Sequence, residues 1–193
     1  MDSKSKPILV IVLLMIMTLV STSILMEQEF HPISNIYFRT NKYGQISQLP
    51  PLDKPYTNPQ DVEDWMENSL LGALNINFED YRYFLRRQSH NFSDRAWTFF
   101  IEQLKSAPYF ISMLNSDDNL VTTASSPPVL VNSGVVNGVY TWRFTVPLKI
   151  QDMSVSGGVT YTYDVEVLVR RCPVNVNPSG YVISYILIDS KTS

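Results

Sequence analysis

The arrangement of apolar residues predicts an α+β protein: an N-terminal transmembrane helix, then helices packed on a curved antiparallel sheet. Three observations carry this. Pro7 to Met26 is a run of twenty residues without a charge. Between Asn58 and Leu114, apolar side chains recur at helical spacing. From Leu120 onward they alternate with period two, as in a strand with one face buried. Helices grouped first and strands grouped last argue α+β rather than an alternating α/β order.

As a helix, the first run would span about 30 Å, the thickness of a bilayer core. Lys4 and Lys6 precede it, and Glu27 and Glu29 follow. The positive-inside rule keeps residues 1–6 in the cytoplasm and sends the rest of the chain across, which in a bacterium means the periplasm. Residues 7–26 read either as a retained anchor, with Ile8 to Met26 in the membrane, or as a cleaved signal peptide. Val20 to Ser23 offer small residues for cleavage. The resumption of apolar residues at Ile24-Leu25-Met26 favours the anchor.

Residues 27–58 read as a Pro-rich linker with Pro32, Pro50, Pro51 and Pro55 and no helical period. Leu49 to Pro55 must be extended, because each proline sets its own φ and biases its predecessor away from helix. Such a stretch either spaces the domain from the membrane or lies across its surface. Residues 59–193 form the domain. Asn58 caps a first helix with Pro59 at its first position, and Val62, Trp65, Met66, Ser69, Leu70 and Ala73 share a face. A second helix spans Glu79 to Arg87. A third starts near Ser93 and aligns Trp97, Phe100, Ile101 and Leu104; a fourth covers Pro108 to Leu114. Short strands follow over Leu120–Ser125 and Val129–Val131, with a bend near Val136-Asn137-Gly138. The even-numbered residues from Tyr140 to Ile150 then point one way, Gly157-Gly158 turns the chain, and Tyr161, Tyr163, Val165, Val167 and Val169 share the next strand's apolar face. Asn177 to Gly180 is a turn before a last strand, Tyr181 to Ile188.

The composition excludes several functions. At 45% hydrophobic and 17% charged residues the chain is not disordered. With a net charge of −3 and no basic run beyond the pairs Arg86-Arg87 and Arg170-Arg171, which read as solvated surface, no nucleic-acid role is expected. A single cysteine, Cys172, precludes an internal disulfide. His31 and His90 lack partners at metal-ligand spacing. There is no G-x-S-x-G elbow and no phosphate loop. Asp61, Glu63 and Asp64 complement a helix dipole, and Asp164 and Glu166 lie on the polar face of a strand. The expectation is therefore no enzyme, no cofactor and no metal.

The order of short motifs is more specific. Tyr37-Phe38-Arg39-Thr40, Gly44-Gln45-Ile46 and Leu49-Pro50-Pro51-Leu52-Asp53-Lys54-Pro55 come first. Val62 with Trp65, Asn77 to Arg82, and Phe92 to Trp97 with Phe100 follow. Then come Pro128-Val129, Gly134 to Trp142, Pro147, Val167 to Arg171, Pro173 and Asn177 to Gly180. Together these resemble the DotI/IcmL family (related to TraM of conjugative plasmids), inner-membrane components of type IVB secretion systems. The resemblance implies a periplasmic domain related to the nuclear-transport-factor-2 fold and a scaffolding role. It implies partners among other secretion-system inner-membrane proteins, in a homo- or hetero-oligomer. Family members that build the channel carry a longer cytoplasmic segment before the anchor than residues 1–6, which leaves open a soluble periplasmic accessory paralogue or a ligand-binding domain of the same fold. A pocket filled by Trp97, Trp142 and Tyr140 would argue against ligand binding. Trp65, Pro50 and Pro51 are the candidate protein-contact residues.

Overall fold

The computed structural model describes residues 14–17, 38–40, 46–48, 50–55, 57–153 and 158–190. The chain divides into two units, Met1–Ile36 and Tyr37–Ser193. In the first, residues 14–17 are helical and exposed. The remainder of the apolar run from Pro7 to Met26 lies outside the described residues. No helix among the described residues is long and apolar enough to cross a membrane.

The second unit opens within the stretch read as linker. There β1 (Phe38–Thr40) and β2 (Ile46–Gln48) pair antiparallel, with Phe38 opposite Gln48. Helix α1 (Pro59–Leu74) follows Asn58, whose backbone is extended, and begins on Pro59 as expected. It buries Val62, Met66, Ser69, Leu70, Ala73 and Leu74, residues three and four apart. Helix α2 (Tyr81–Gln88) buries only Leu85. Helix α3 (Asp94–Ser106) starts where Ser93 Oγ accepts the Ala96 N–H, a side-chain cap. Helix α4 (Pro108–Ser116) ends on Asp117 in the left-handed region, φ 57°.

Strands β3 (Leu120–Ala124), β4 (Val129–Val136), β5 (Val139–Asp152), β6 (Thr160–Arg171) and β7 (Tyr181–Ser190) form one antiparallel sheet. The order is β3-β5-β6-β7, and β4 shares the β3 side of the long strand β5. β4 runs five residues beyond the stretch read from sequence. The bend expected at Val136 to Gly138 is a tight hairpin turn with Asn137 at φ 51° and Gly138 at φ 77°. Two consecutive residues in the left-handed region match the right-handed twist of the flanking strands. Gly157 of the expected Gly157-Gly158 turn lies outside the described residues; the strands it joins pair as expected.

The core lies between one sheet face and the helices. Trp142, Phe144, Val146, Leu148 and Ile150 from β5 and Val165, Val167 and Val169 from β6 meet Met66, Leu70, Phe100, Leu104 and Met113. Two of the sheet's edges are closed. At β3, Ile76 and Leu120 exchange backbone hydrogen bonds, while Asn75 Oδ1 accepts the Thr122 N–H at 2.7 Å. At β7, Ser93 N–H donates to the Ile183 carbonyl. Gln103 there donates to the Ile186 carbonyl and accepts the Ile188 N–H.

Candidate interaction site

Pro50 to Pro55 form a strap across one end of the sheet. Prolines carry no N–H, so the strap presents more acceptors than donors. Its donors come from the sheet. Arg171, at the end of β6, is 4% exposed, and its Nη1 donates to the carbonyls of Pro50 (3.0 Å), Pro51 (2.6 Å) and Lys54 (2.7 Å). Tyr140 N–H donates to the Leu52 carbonyl at 2.8 Å, and Lys54 N–H closes a turn onto Pro51. A planar guanidinium with fixed donors suits such a convergence of carbonyls better than an ammonium. This contradicts the reading of Arg170-Arg171 as a solvated pair. Alternation along β6 places Arg171 on the same face as Val165, Val167 and Val169, so only Arg170 points outward and is exposed.

Beside the strap lies an aromatic row. Trp65 on α1 is half-buried, its ring 5.7 Å from that of Tyr181. Tyr181 is 5.6 Å from Trp142, which is 4.8 Å from Tyr140. Thr57 Oγ1 hydrogen-bonds the Tyr181 hydroxyl, and Tyr181 is the cross-strand neighbour of Arg171. The structure thus brings Trp65, Pro50 and Pro51 to the same end of the sheet, joined through Arg171 and Tyr181. Pro51, Asp53, Lys54 and Pro55 are exposed, and Pro50 and Trp65 are half-buried. Sequence reasoning missed Arg171 and Tyr181. Their inward parity on β6 and β7 was the available signal.

Next to Arg171, Cys172 is buried, and desolvation pushes its thiol up against the opposing pull of the Asn177 backbone and the two arginines. A raised thiol is a poor nucleophile. It lines a 370 Å³ groove with Leu52, Asp94, Val139, Arg170 and Val182. A 360 Å³ recess at the α3–α4 junction is lined by Gln103, Pro108, Tyr109, Tyr163 and Asp189. Burial raises the hydroxyl pKa values of Tyr109 and Tyr163. The second recess lies between the α3–α4 junction and the inward face of the sheet, where Tyr109 and Tyr163 belong to the core. Between sheet and helices Trp142 is 1% exposed, with Trp97 and Tyr140 packed against the same core. His90 is exposed, and His31 lies outside the described residues. Among the described residues no three His, Cys, Asp or Glu side chains could hold a metal together.

Residues 8–189 match the family described as type IVb secretion system, inner-membrane complex component (DotI/IcmL). Searching curated proteins returns no match. The periplasmic domain of DotI aligns with TM-score 0.66 and 23% identity, over 71% of this chain and 99% of that one. A periplasmic fragment of TraM aligns with TM-score 0.63 and 22% identity, over 69% and 98%. An IcmL-like type IV secretion system protein from Legionella pneumophila subsp. pneumophila aligns with TM-score 0.62 and 10% identity, over 71% and 96%. These likenesses establish the shared fold, helices against an antiparallel sheet.

Proposed function

The chain belongs to the DotI/IcmL family of type IVb secretion-system inner-membrane complex components, and from that premise we propose that it is a non-enzymatic assembly component, anchored by Ile8–Met26 with residues 59–193 in the periplasm. The observation that carries the scaffolding part is the packed interior along β5, where Trp142, Phe144 and Phe100 occupy the space between sheet and helices. The anchor rests on the twenty uncharged residues and the flanking charges. Its partners are other inner-membrane proteins of the apparatus. The end of the sheet that carries Trp65, Pro50 and Pro51 is a contact surface for them, since exposed prolines over half-buried aromatics suit protein recognition.

The test is the mass of the mature chain in fractionated cells, alongside secretion after gene deletion. A full-length chain in the inner-membrane fraction and loss of secretion are expected. A chain cut near Ser23 and free in the periplasm, with secretion intact, would overturn the assembly role and leave a soluble accessory paralogue.

A further inference from the structure

The sheet has three outer edges, and they are treated differently. β3 is sealed by Asn75 and Ile76, and β7 by Ser93 and Gln103. No described residue pairs with the free side of β4. All of β4 except Gly134 is exposed, so it stands clear of the helical layer on both faces. Val129, Leu130, Val131, Val135 and Val136 are between 37% and 58% exposed. An edge of this kind is normally blunted by lysine, by an inward charge or by proline. Here no charged residue occurs between Asp118 and Arg143, and Pro127 and Pro128 stop short of the strand. Its single defence is a bulge between Leu130 and Asn132. Left open, such an edge is an aggregation hazard.

We propose that β4 is the pairing edge for a second copy of this chain, joined antiparallel about a two-fold axis to continue the sheet from one subunit into the next. The sequence of the strand argues for its own copy rather than another protein. Val-Leu-Val-Asn-Ser-Gly-Val-Val is nearly palindromic in polarity. An antiparallel pairing centred on Ser133, with Val131 bulged in each copy, sets Val129 against Val136, Leu130 against Val135, Asn132 against Gly134, and Ser133 against itself, each pair on one face. Apolar ends meet apolar ends, the polar centre meets itself, and no like charges are brought together. An isologous contact demands this self-complementarity. One strand covers less than the roughly 1,200–2,000 Å² of a stable free-standing interface. The dimer is therefore weak in dilute solution and is held by confinement to a membrane, where effective concentration is high. The inference deepens the oligomer part of the reading above and rests on its anchor.

Full-length Asn132→Cys is treated in membranes with a short bismaleimide, in cells with the secretion apparatus and in a host without it. Native Cys172 is buried, so the unsubstituted chain is the background, and Lys105→Cys on exposed α3 is the position control. A product of twice the chain mass is expected from Asn132→Cys alone, in both hosts. Adding Val135→Lys should reduce it at least tenfold without moving the thermal midpoint. If that variant unfolds, Val129→Lys at the other end of the pairing is read instead. No product, a product of another mass, or one that survives the lysine would overturn the proposal. Dimer formation with secretion unaffected by gene deletion would sink the assembly role and leave the edge pairing standing.

Discussion

Replacing Arg171 by methionine tests whether the strap is held by that one guanidinium. Methionine keeps much of the side-chain volume and removes the donors to Pro50, Pro51 and Lys54. A hydrogen bond from a charged donor contributes roughly 1.5–3 kcal/mol, but the three do not simply add. The Pro51 and Lys54 residues are exposed, so their carbonyls can turn to water once the strap lifts. Deleting a buried charge also recovers desolvation energy. The expected net loss is about 2–4 kcal/mol. For a unit running from Tyr37 to Ser193, that is a fall in thermal midpoint of roughly 5–15 °C. Global stability alone does not identify the strap, so the second readout is local. Hydrogen exchange at the Tyr140 amide, whose acceptor is the Leu52 carbonyl, should accelerate more than exchange at β5 amides paired only within the sheet. An unchanged midpoint with Tyr140 still protected would refute the clasp.

Three further outcomes follow from other contacts. Ser93→Ala removes the α3 cap and, by typical cap values, should cost about 1 kcal/mol in urea denaturation. Gln103→Leu leaves the Ile186 carbonyl and Ile188 N–H without their partner. It should cost roughly 1–3 kcal/mol and raise the tendency to associate, seen as concentration-dependent light scattering. The raised Cys172 and Tyr109 groups set an alkaline dependence. Their ordinary values are 9.0 and 10.0; the unfolded chain ionises there first, so their contribution is complete below pH 9 and is lost as pH climbs. Urea midpoints should hold up to about pH 9 and fall as pH rises further, and Cys172 should resist alkylation until the chain unfolds.

Elements were legible where a single period dominates. Pro59 after Asn58, Ser93, Pro108 and the unbroken alternation from Tyr140 to Ile150 and Tyr161 to Val169 announce their helices and strands locally. β4 was read too short because, clear of the core, it shows no one-sided alternation: Asn132, Ser133 and Gly134 interrupt its valines, and its strand state comes from the ladder to β5. The residues of the strap and the aromatic row divide in the same way. Trp65, Pro50 and Pro51 could be singled out by residue type, but not what joins them.

By itself the sequence determined the order of elements from α1 onward, the inward faces of β5 and β6, and the family. These are properties of spacing and composition along one chain. Tertiary structure alone decided that Arg171 clasps the strap, that the strap lies on the domain, and that Asn75 and Gln103 seal two edges while β4 stays open. Each of these depends on hydrogen bonds between residues tens of positions apart. No local period encodes such pairs; folding brings them together.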